Sequence, residues 1–169
     1  MTIDQDIKSA IDVLRRGGLI LYPTDTVWGI GCDATNAEAV ARVYALKQRI
    51  DSKAMIVLVG TEVALERSVQ CVPEVAWQLI DCSDRPVTIV YDHGAGVAAN
   101  LIAEDGSLAV RLTREEFSQK LCERFRRPLV STSANISGQP TPQCFAQISQ
   151  EILDGVDYVC VSRRDETQP

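Results

Sequence analysis

Hydrophobic positions recur at helical spacing in some segments of this chain and run continuously in others. Residues 7–14 carry apolar side chains three and four positions apart and precede two glycines, which predicts an amphipathic helix with a glycine cap. The run LILYP that follows is short and continuously apolar, as is MIVLVG at residues 55–60, and both are typical of buried strands. The first third of the chain is therefore predicted to alternate between helices and strands.

The same alternation continues along the rest of the chain. A helix is predicted through AEAVARVYALK with Asn36 as its N-cap, and two shorter helices at residues 62–68 and 73–80. PVTIVY, SLAVRLT and VDYVCV read as strands, REEFSQKLCERFRR as a helix, and a last helix is predicted near residues 145–153. Short β segments that alternate with helices predict an α/β domain on a twisted, partly parallel sheet.

The composition is that of one globular domain. The chain has 169 residues, of which 46% are hydrophobic and 24% charged, so residues 1–169 are predicted to form a single domain with a loose polar tail at 162–169. The net charge of −6 gives no global attraction for nucleic-acid phosphates, although a local basic pocket is compatible with it. No run reaches the roughly 18 apolar residues of a membrane helix, and no signal peptide precedes the domain, which predicts a cytoplasmic protein without a membrane partner.

Six cysteines are spread along the chain without a C-x-x-C pair, and His93 is the single histidine. Such spacing offers no local pair of zinc ligands, so no protein metal site is predicted. The cysteines are interpreted as buried, reduced thiols that act as small apolar residues.

Four polar clusters carry the candidate chemistry: PTDTVWGIG, KQRIDSK, SLAVR and STSANISGQPT. Three of them follow apolar strands, where α/β sheets usually bind ligands. Together they supply lysines, arginines, hydroxyls, a carboxamide and backbone amides of glycine-rich turns. That set suits an anionic ligand with many oxygens, because guanidinium forks match phosphate or carboxylate and N–H groups complete the shell.

Each cluster has a structural alternative. KQR could complement the dipole of a helix end, and STSAN could be a capped turn. Arg111, inside an apolar strand, could form a structural ion pair with Asp or Glu, while Thr24 and Thr26 could satisfy the backbone of their own loop. The Walker A, G-x-G-x-x-G and G-x-S-x-G motifs are missing, and a serine triad would depend on His93 alone.

In this order and spacing the clusters resemble the YrdC/TsaC family of threonylcarbamoyl-AMP synthases. The family's P-T-[DE]-T-x-[YFW]-G-[LIV]-G is matched by residues 23–31, and its K-x-R-P-x-x-K by Lys47, Arg49 and Lys53. Its [AG]-V-R-[VL] strand is matched within LAVRLT, and its S-A-N-x-S-G by residues 133–138. The resemblance extends over about residues 7–160, nearly the whole chain.

The resemblance implies a fold and a reaction. The fold is a single α/β domain with a large twisted sheet of parallel and antiparallel strands, flanked by helices and bearing a concave positive cleft. The reaction converts L-threonine, bicarbonate and ATP, with Mg²⁺ accompanying the ATP, into threonylcarbamoyl-AMP and pyrophosphate. A tRNA-modifying transferase complex would receive the intermediate, and tRNA itself is a possible partner. The alternatives are a module that binds double-stranded RNA and a nucleotide-binding paralogue of the same fold without synthase activity.

The resemblance also assigns roles to individual residues. The threonine site would comprise Thr24, Thr26, Arg111 and Ser131. The nucleotide site would comprise Lys47, Arg49, Lys53, Ser107, Ser133, Asn135 and Thr141. The catalytic group would comprise Lys47, Arg49, Ser133 and Asn135.

The chain departs from the family pattern at several positions. SDRPVT at residues 83–88 replaces W-P-G-P-[LV]-T and keeps only the proline and the threonine. Leu58 stands where some members have a histidine, and Ile50, Ala54 and Met55 depart within the lysine–arginine motif. Members commonly continue past the last strand into an S-x-I segment, which the sequence up to Pro169 does not contain. We expect the first departure either to reshape a wall of the cleft or to tune the surface that meets a partner.

Overall fold

The computed structural model of the protein describes residues 1–48 and 55–166. Its helices within those residues are α1 (Ile3–Arg15), α2 (Ala37–Lys47), α3 (Glu62–Ser68), α4 (Glu74–Cys82), α5 (Glu116–Phe125) and α6 (Gln150–Gly155). Its strands there are β1 (Ile20–Tyr22), β2 (Gly29–Gly31), β3 (Ile56–Val59), β4 (Thr88–Tyr91), β5 (Leu108–Leu112), β6 (Leu129–Ser133) and β7 (Tyr158–Val159). Two short 3-10 helices are Ala99–Leu101 and Phe145–Gln147.

The strands of the described residues form one sheet in the order β4-β5-β3-β6-β2-β1-β7. β3 with β5 and β1 with β7 are parallel, whereas the four other neighbouring pairs are antiparallel. The predicted α/β fold with a mixed sheet flanked by helices is confirmed. Because β2 lies between β1 and β6, the loop after β1 and the serine segment after β6 meet at the same end of the sheet.

The helices begin where the sequence places their caps. Asn36 accepts hydrogen bonds from the backbone N–H groups of Glu38 and Ala39, as its predicted N-cap role requires. At α1, Thr2 and Gln5 form a reciprocal capping box, which satisfies two backbone donors that the helix leaves free. None of the helices in the described part of the chain is long and apolar enough to cross a membrane.

Two elements differ from the prediction. β2 was not predicted, because one isoleucine between two glycines gives no alternation; it is held instead by antiparallel pairing on both sides. The predicted last helix near residues 145–153 is wrong: a 3-10 helix comes first, and α6 starts after Ser149, whose hydroxyl accepts from the Ile152 N–H. The helical spacing of apolar residues therefore continues past Ser149, although the N-cap at this residue interrupts the helix.

The tail at residues 162–169, predicted to be loose, is hydrogen-bonded to α1 at its start. The backbone N–H groups of Val161 and Ser162 donate to Asp6 Oδ2 at 3.0 and 2.9 Å. The Ser162 hydroxyl donates to the same oxygen at 2.6 Å. Residues 167–169 lie outside the described residues.

All six cysteines fall within the described residues and are free thiols. Cys32, Cys122 and Cys160 are buried, as predicted, and burial raises the pKa of each thiol above its ordinary value, which keeps it protonated. The prediction is wrong for Cys71 and Cys82, which are exposed because one lies in the loop after α3 and the other at the end of α4.

Candidate functional site

The β1–β2 loop (residues 23–28) is organised by a threonine hydroxyl. Thr24 is buried, and its Oγ1 donates to the Val27 carbonyl at 2.6 Å and accepts from the Thr26 N–H at 3.1 Å. The hydroxyls of Thr24 and Thr26 lie 3.3 Å apart. Because the Thr24 hydrogen is directed at Val27, Thr26 is the donor of that contact. The predicted alternative, that these threonines satisfy their own loop, is therefore confirmed for Thr24.

Arg111 is buried beside this loop and pairs with Asp25. The two side chains are 6% and 9% exposed, and Nη2 lies 2.9 Å from Asp25 Oδ1. Arg111 Nε donates to Oδ1 and Oδ2 of Asp25 at 3.0 and 3.2 Å. The predicted alternative of an ion pair with an acidic residue is confirmed.

The ion pair uses one edge of the guanidinium group. Arg111 Nη2 also donates to Thr26 Oγ1 at 3.4 Å, whereas Nη1 has no hydrogen-bond partner among the described residues. A second carboxylate could therefore bind Nη1 without displacing Asp25. Sequence reasoning missed Asp25, and its position between two threonines of the opening motif was the available signal.

Three of the four polar clusters meet at one cavity of about 260 Å³, which we call the site cavity. Its lining is Thr26, Val27, Gly29, Met55, Ile56, Arg111, Ser131, Thr132 and Ser133. Thr26 comes from the β1–β2 loop, Arg111 from β5, and the serines from β6. The sheet order thus brings together residues that are far apart in sequence.

Lys47 connects the end of α2 to the serine segment. It is buried, and its Nζ donates to the Ser133 carbonyl oxygen at 2.5 Å and to Ser133 Oγ at 3.3 Å. In return the Ser137 N–H donates to the Lys47 carbonyl at 2.8 Å. Arg49 and Lys53, the other two members of the predicted basic motif, lie outside the described residues, so their roles stay predictions.

The remaining predicted residues lie around the cavity or away from it. Asn135 holds its own loop, since Nδ2 donates to the carbonyls of Ile136 and Gln139 at 3.0 and 2.9 Å. Its buried Oδ1 has no hydrogen-bond partner in the part of the chain that the structure describes. Thr141 is exposed beyond that loop. Ser107 directly precedes β5, whereas Arg111 lies near the other end of this strand. Four residues of extended backbone separate Ser107 from Arg111 by about 13 Å.

The departures from the family pattern have distinct surroundings. Leu58 is fully buried in the core, whereas Met55 lines the site cavity. The SDRP turn (residues 83–86) lines a separate pocket of about 320 Å³ on the far side of Asp25, together with Leu112, Arg114 and Glu115. This departure therefore changes the surroundings of Asp25, whose carboxylate holds Arg111, and the predicted change to a cleft wall stays a prediction.

The chemistry of the site is that of binding and positioning. Burial raises the pKa of Tyr22, whose hydroxyl donates to the Val130 carbonyl at 3.0 Å, so this phenol stays neutral. Among residues 1–48 and 55–166, no group of three or more His, Cys, Asp or Glu residues could hold a metal ion. The cavity instead offers a guanidinium edge, hydroxyls and a lysine within reach of its serine wall.

Comparison with known sequences identifies relatives over most of the chain. The family model for Sua5, YciO and YrdC proteins, described as telomere recombination, matches residues 12–168. A threonylcarbamoyl-AMP synthase of Vibrio cholerae is 35% identical over 156 residues, which is 90% of this chain and 81% of that protein. A threonylcarbamoyl-AMP synthase of Pseudomonas aeruginosa is 36% identical over 154 residues, which is 90% of this chain and 82% of that protein.

Solved structures share the fold. P. abyssi Sua5 complexed with L-threonine is 29% identical and has a TM-score of 0.84. The match covers 90% of this chain and 45% of that one. This chain thus spans a little under half of that Sua5. E. coli YciO has a TM-score of 0.80 at 24% identity, with coverage of 94% of this chain and 77% of that one, and shows the fold alone.

Proposed function

The chain belongs to the Sua5/YciO/YrdC family, and we propose that it is a threonylcarbamoyl-AMP synthase. In the proposed reaction the amine of L-threonine combines with bicarbonate and loses water to form a carbamate. A carbamate oxygen then attacks the α-phosphorus of ATP, and pyrophosphate leaves. The chemistry needs juxtaposed substrates, neutralised charge and exclusion of water rather than a covalent enzyme nucleophile.

One observation carries the proposal: the buried Arg111 lines the site cavity and keeps one guanidinium nitrogen for a ligand. Nη1 has no partner among the described residues, while Asp25 binds the Nε–Nη2 edge and so fixes the direction of the guanidinium plane. A substrate carboxylate would accept charge-assisted hydrogen bonds from Nη1. The ion pair with Asp25 thus prepares Arg111 for an anionic ligand.

The hydroxyls beside Arg111 suit the rest of an amino-acid substrate. Thr26 donates its hydrogen to Thr24 and accepts from Arg111 at 3.4 Å, which leaves one lone pair of Oγ1 toward the cavity. Thr26 would therefore accept a hydrogen bond from the hydroxyl or amine of threonine. Ser131, which is buried and lines the same cavity, would complete the threonine site, with Thr24 acting through Thr26.

The nucleotide would lie toward Lys47 and the serine segment. We assign Lys47, Arg49, Lys53, Ser107, Ser133, Asn135 and Thr141 to this part of the site on the strength of the family motifs. The Lys47–Ser133 contact supports the assignment, because it places an ammonium group at the wall of the cavity. Magnesium would enter with the ATP phosphates and neutralise part of their charge.

The proposed product has a defined fate. A mixed anhydride of a carbamate and AMP is labile in water, so a tRNA-modifying transferase complex would take it up in the cytoplasm. Direct binding of tRNA by this chain is a separate part of the proposal. Its test is binding of bare tRNA at increasing salt, since contacts to phosphates weaken steeply as ions compete.

The test of the proposed function is pyrophosphate release from ATP with bicarbonate, measured with and without L-threonine. We expect release that depends on threonine, and loss of about 10²-fold or more for Arg111→Ala, as is usual when a buried ionic contact to substrate is removed. The matched control is Arg124→Ala, because Arg124 forms an equally short ion pair, 2.9 Å from Asp4, on the exposed surface.

The outcomes separate the candidate functions. Release that is indifferent to threonine would contradict the synthase and favour a nucleotide-binding paralogue. No release, together with salt-sensitive tRNA binding, would favour the RNA-binding module. Wild-type turnover in Arg111→Ala would show that the threonine site has been assigned to the wrong residues.

A further inference from the structure

The Arg163 turn (residues 161–166) connects the two chain segments that carry the Asp25–Arg111 pair. Arg163 Nη1 donates to the Thr24 carbonyl oxygen at 2.9 Å and lies 3.1 Å from Glu115 Oε2. Thr24 is the residue directly before Asp25 in the β1–β2 loop. Glu115 lies four residues beyond Arg111 and caps α5 by accepting from the Phe117 and Ser118 N–H groups. A single guanidinium therefore bridges the loop and the start of α5, three residues after β5.

The bridge constrains the orientation of Asp25. The Thr24 carbonyl and the Asp25 N–H belong to one rigid peptide plane. A charge-assisted hydrogen bond on the carbonyl fixes that plane, and with it the backbone from which the Asp25 side chain reaches Arg111. The Thr24 side chain acts at the same point, since it binds the Thr26 N–H and the Val27 carbonyl.

Arg163 is itself firmly held. Its φ of 59° is left-handed, which is uncommon for a residue other than glycine and persists only where its surroundings impose it. The preceding residue, Ser162, is anchored to Asp6 by its N–H and its hydroxyl. Asp6 is fully buried and also accepts from the Tyr158 hydroxyl at 2.6 Å. Glu166 adds a contact of 2.6 Å to Arg163 Nε.

Arg164, the next residue of the turn, supports the other end of the β1–β2 loop through Phe145. The Arg164 guanidinium lies 4.7 Å from the centre of the Phe145 ring, and this ring packs 5.0 Å from that of Trp28. Nε and Nη2 of Arg164 also donate to the carbonyls of Cys160 and Val159 at 2.8 and 3.1 Å. The turn thus contacts the loop directly at Thr24 and through Phe145 at Trp28.

From these contacts we propose that Arg163 is a positioning residue for the threonine site, and that the Arg163 turn sets the affinity for the amino-acid substrate. The identity of the substrate rests on the proposed function, whereas the contacts of Arg163 do not depend on it. Arg163 does not line the site cavity, so it acts through the Thr24 carbonyl and the Asp25–Arg111 pair. The bonds of Arg163 go to the β1–β2 loop and Glu115, whereas Lys47 on the nucleotide side binds Ser133.

The test compares Arg163→Ala, Arg163→Lys and the control Arg124→Ala in the full chain. We expect Arg163→Ala to raise the KM for threonine about tenfold, as for loss of one charge-assisted hydrogen bond, with kcat and the KM for ATP changed less than about twofold. Arg163→Lys should restore part of the effect, because an ammonium group can replace Nη1 at the Thr24 carbonyl or Glu115 but lacks the second arm, Nε, that contacts Glu166. Arg124→Ala should leave every value unchanged.

A readout without catalysis separates this inference from the proposed function. Amide hydrogen exchange of residues 24–28 should rise in Arg163→Ala and stay at the wild-type rate in Arg124→Ala. If the wild type makes no product, the proposed function fails, while faster exchange confined to this loop still supports positioning. If exchange of this loop is unchanged in Arg163→Ala, the positioning role of Arg163 is refuted. If the wild type is active, an unchanged KM for threonine in Arg163→Ala also refutes it. If Arg163→Ala does not fold, Ser162→Ala applies the same criteria by loosening the turn from Asp6.

Discussion

The buried pair of Asp25 and Arg111 gives the sharpest prediction about stability. Breaking a buried ion pair by removing one partner costs about 3–5 kcal/mol, because the other charge stays buried without compensation. Both side chains are less than a tenth exposed and meet through contacts of 2.9 to 3.2 Å, so this range applies to each single change. Asparagine and methionine are similar in size to the residues they replace and leave no large cavity, so the lower end of the range is expected. We expect Asp25→Asn and Arg111→Met each to reduce the free energy of unfolding by about 3 kcal/mol.

The double variant should be more stable than either single variant. With both charges removed, no uncompensated ion stays in the protein interior, and the remaining loss is about 1 kcal/mol, that of hydrogen bonds between the side chains. Urea denaturation followed by circular dichroism at neutral pH gives the four free energies, provided that the slope of the transition is the same in each protein. The cycle should therefore give a coupling energy of about 5 kcal/mol.

A matched cycle on Asp4 and Arg124 isolates the effect of burial. This pair has the same N–O distance of 2.9 Å, but its side chains are 69% and 45% exposed. Exposed pairs contribute about 1 kcal/mol or less, so this coupling energy should be several times smaller. Equal coupling in the two cycles, or single changes at Asp25 and Arg111 that simply add, would refute the argument from burial.

Three further outcomes can be checked directly. Iodoacetamide at mildly alkaline pH should modify Cys71 and Cys82 in the native protein and spare the buried thiols, as read by mass spectrometry; early labelling of the buried thiols would contradict their raised pKa. Gly31→Ala should lower the melting temperature by several degrees and Gly29→Ala by less, because a Cβ at Gly31 would lie 2.5 Å from the ring of Tyr22 whereas neighbours at Gly29 start at 3.4 Å. Raised thiol pKa values in the folded state mean that their contribution to stability is complete below about pH 9 and is lost at higher pH; a flat profile of the urea midpoint from pH 8 to about 11 would contradict this.

The sequence predicted those parts of the fold that depend on local chemistry. Asn36 caps α2, and α3 runs over residues 62–68 as its apolar spacing indicates, because caps and periodicity act within a few residues. β2 escaped prediction because its stability comes from two neighbouring strands and not from its own side chains. Ser149, whose cap separates a 3-10 helix from α6, looked like any polar residue on the outer face of a longer helix.

The types of residue in the candidate site were predictable from the sequence, whereas their arrangement in space was less so. Ser107 and Arg111 stand in one short motif, yet extended backbone of about 3.3 Å per residue carries them to opposite ends of β5. Asp25 and Arg163 escaped notice because their roles depend on partners 86 and 139 residues away in sequence. Ion-pair geometry of that kind is set by the sheet order, which no single motif encodes.

The parallel pairing of β7 with β1 also determines when the site can exist. Leu19 and Asp157, which hydrogen-bond beside this pairing, are 138 residues apart, so the contact forms only after residue 157 has been synthesised. The early part of a nascent chain can form α1 and β1, but the β1–β2 loop then lacks the Arg163 turn. During synthesis at about 5–20 residues per second, the candidate site therefore stays without its contact from Arg163 for seconds after Thr24 has left the ribosome. A nascent chain should hold the β1–β2 loop less firmly until β7 has paired with β1.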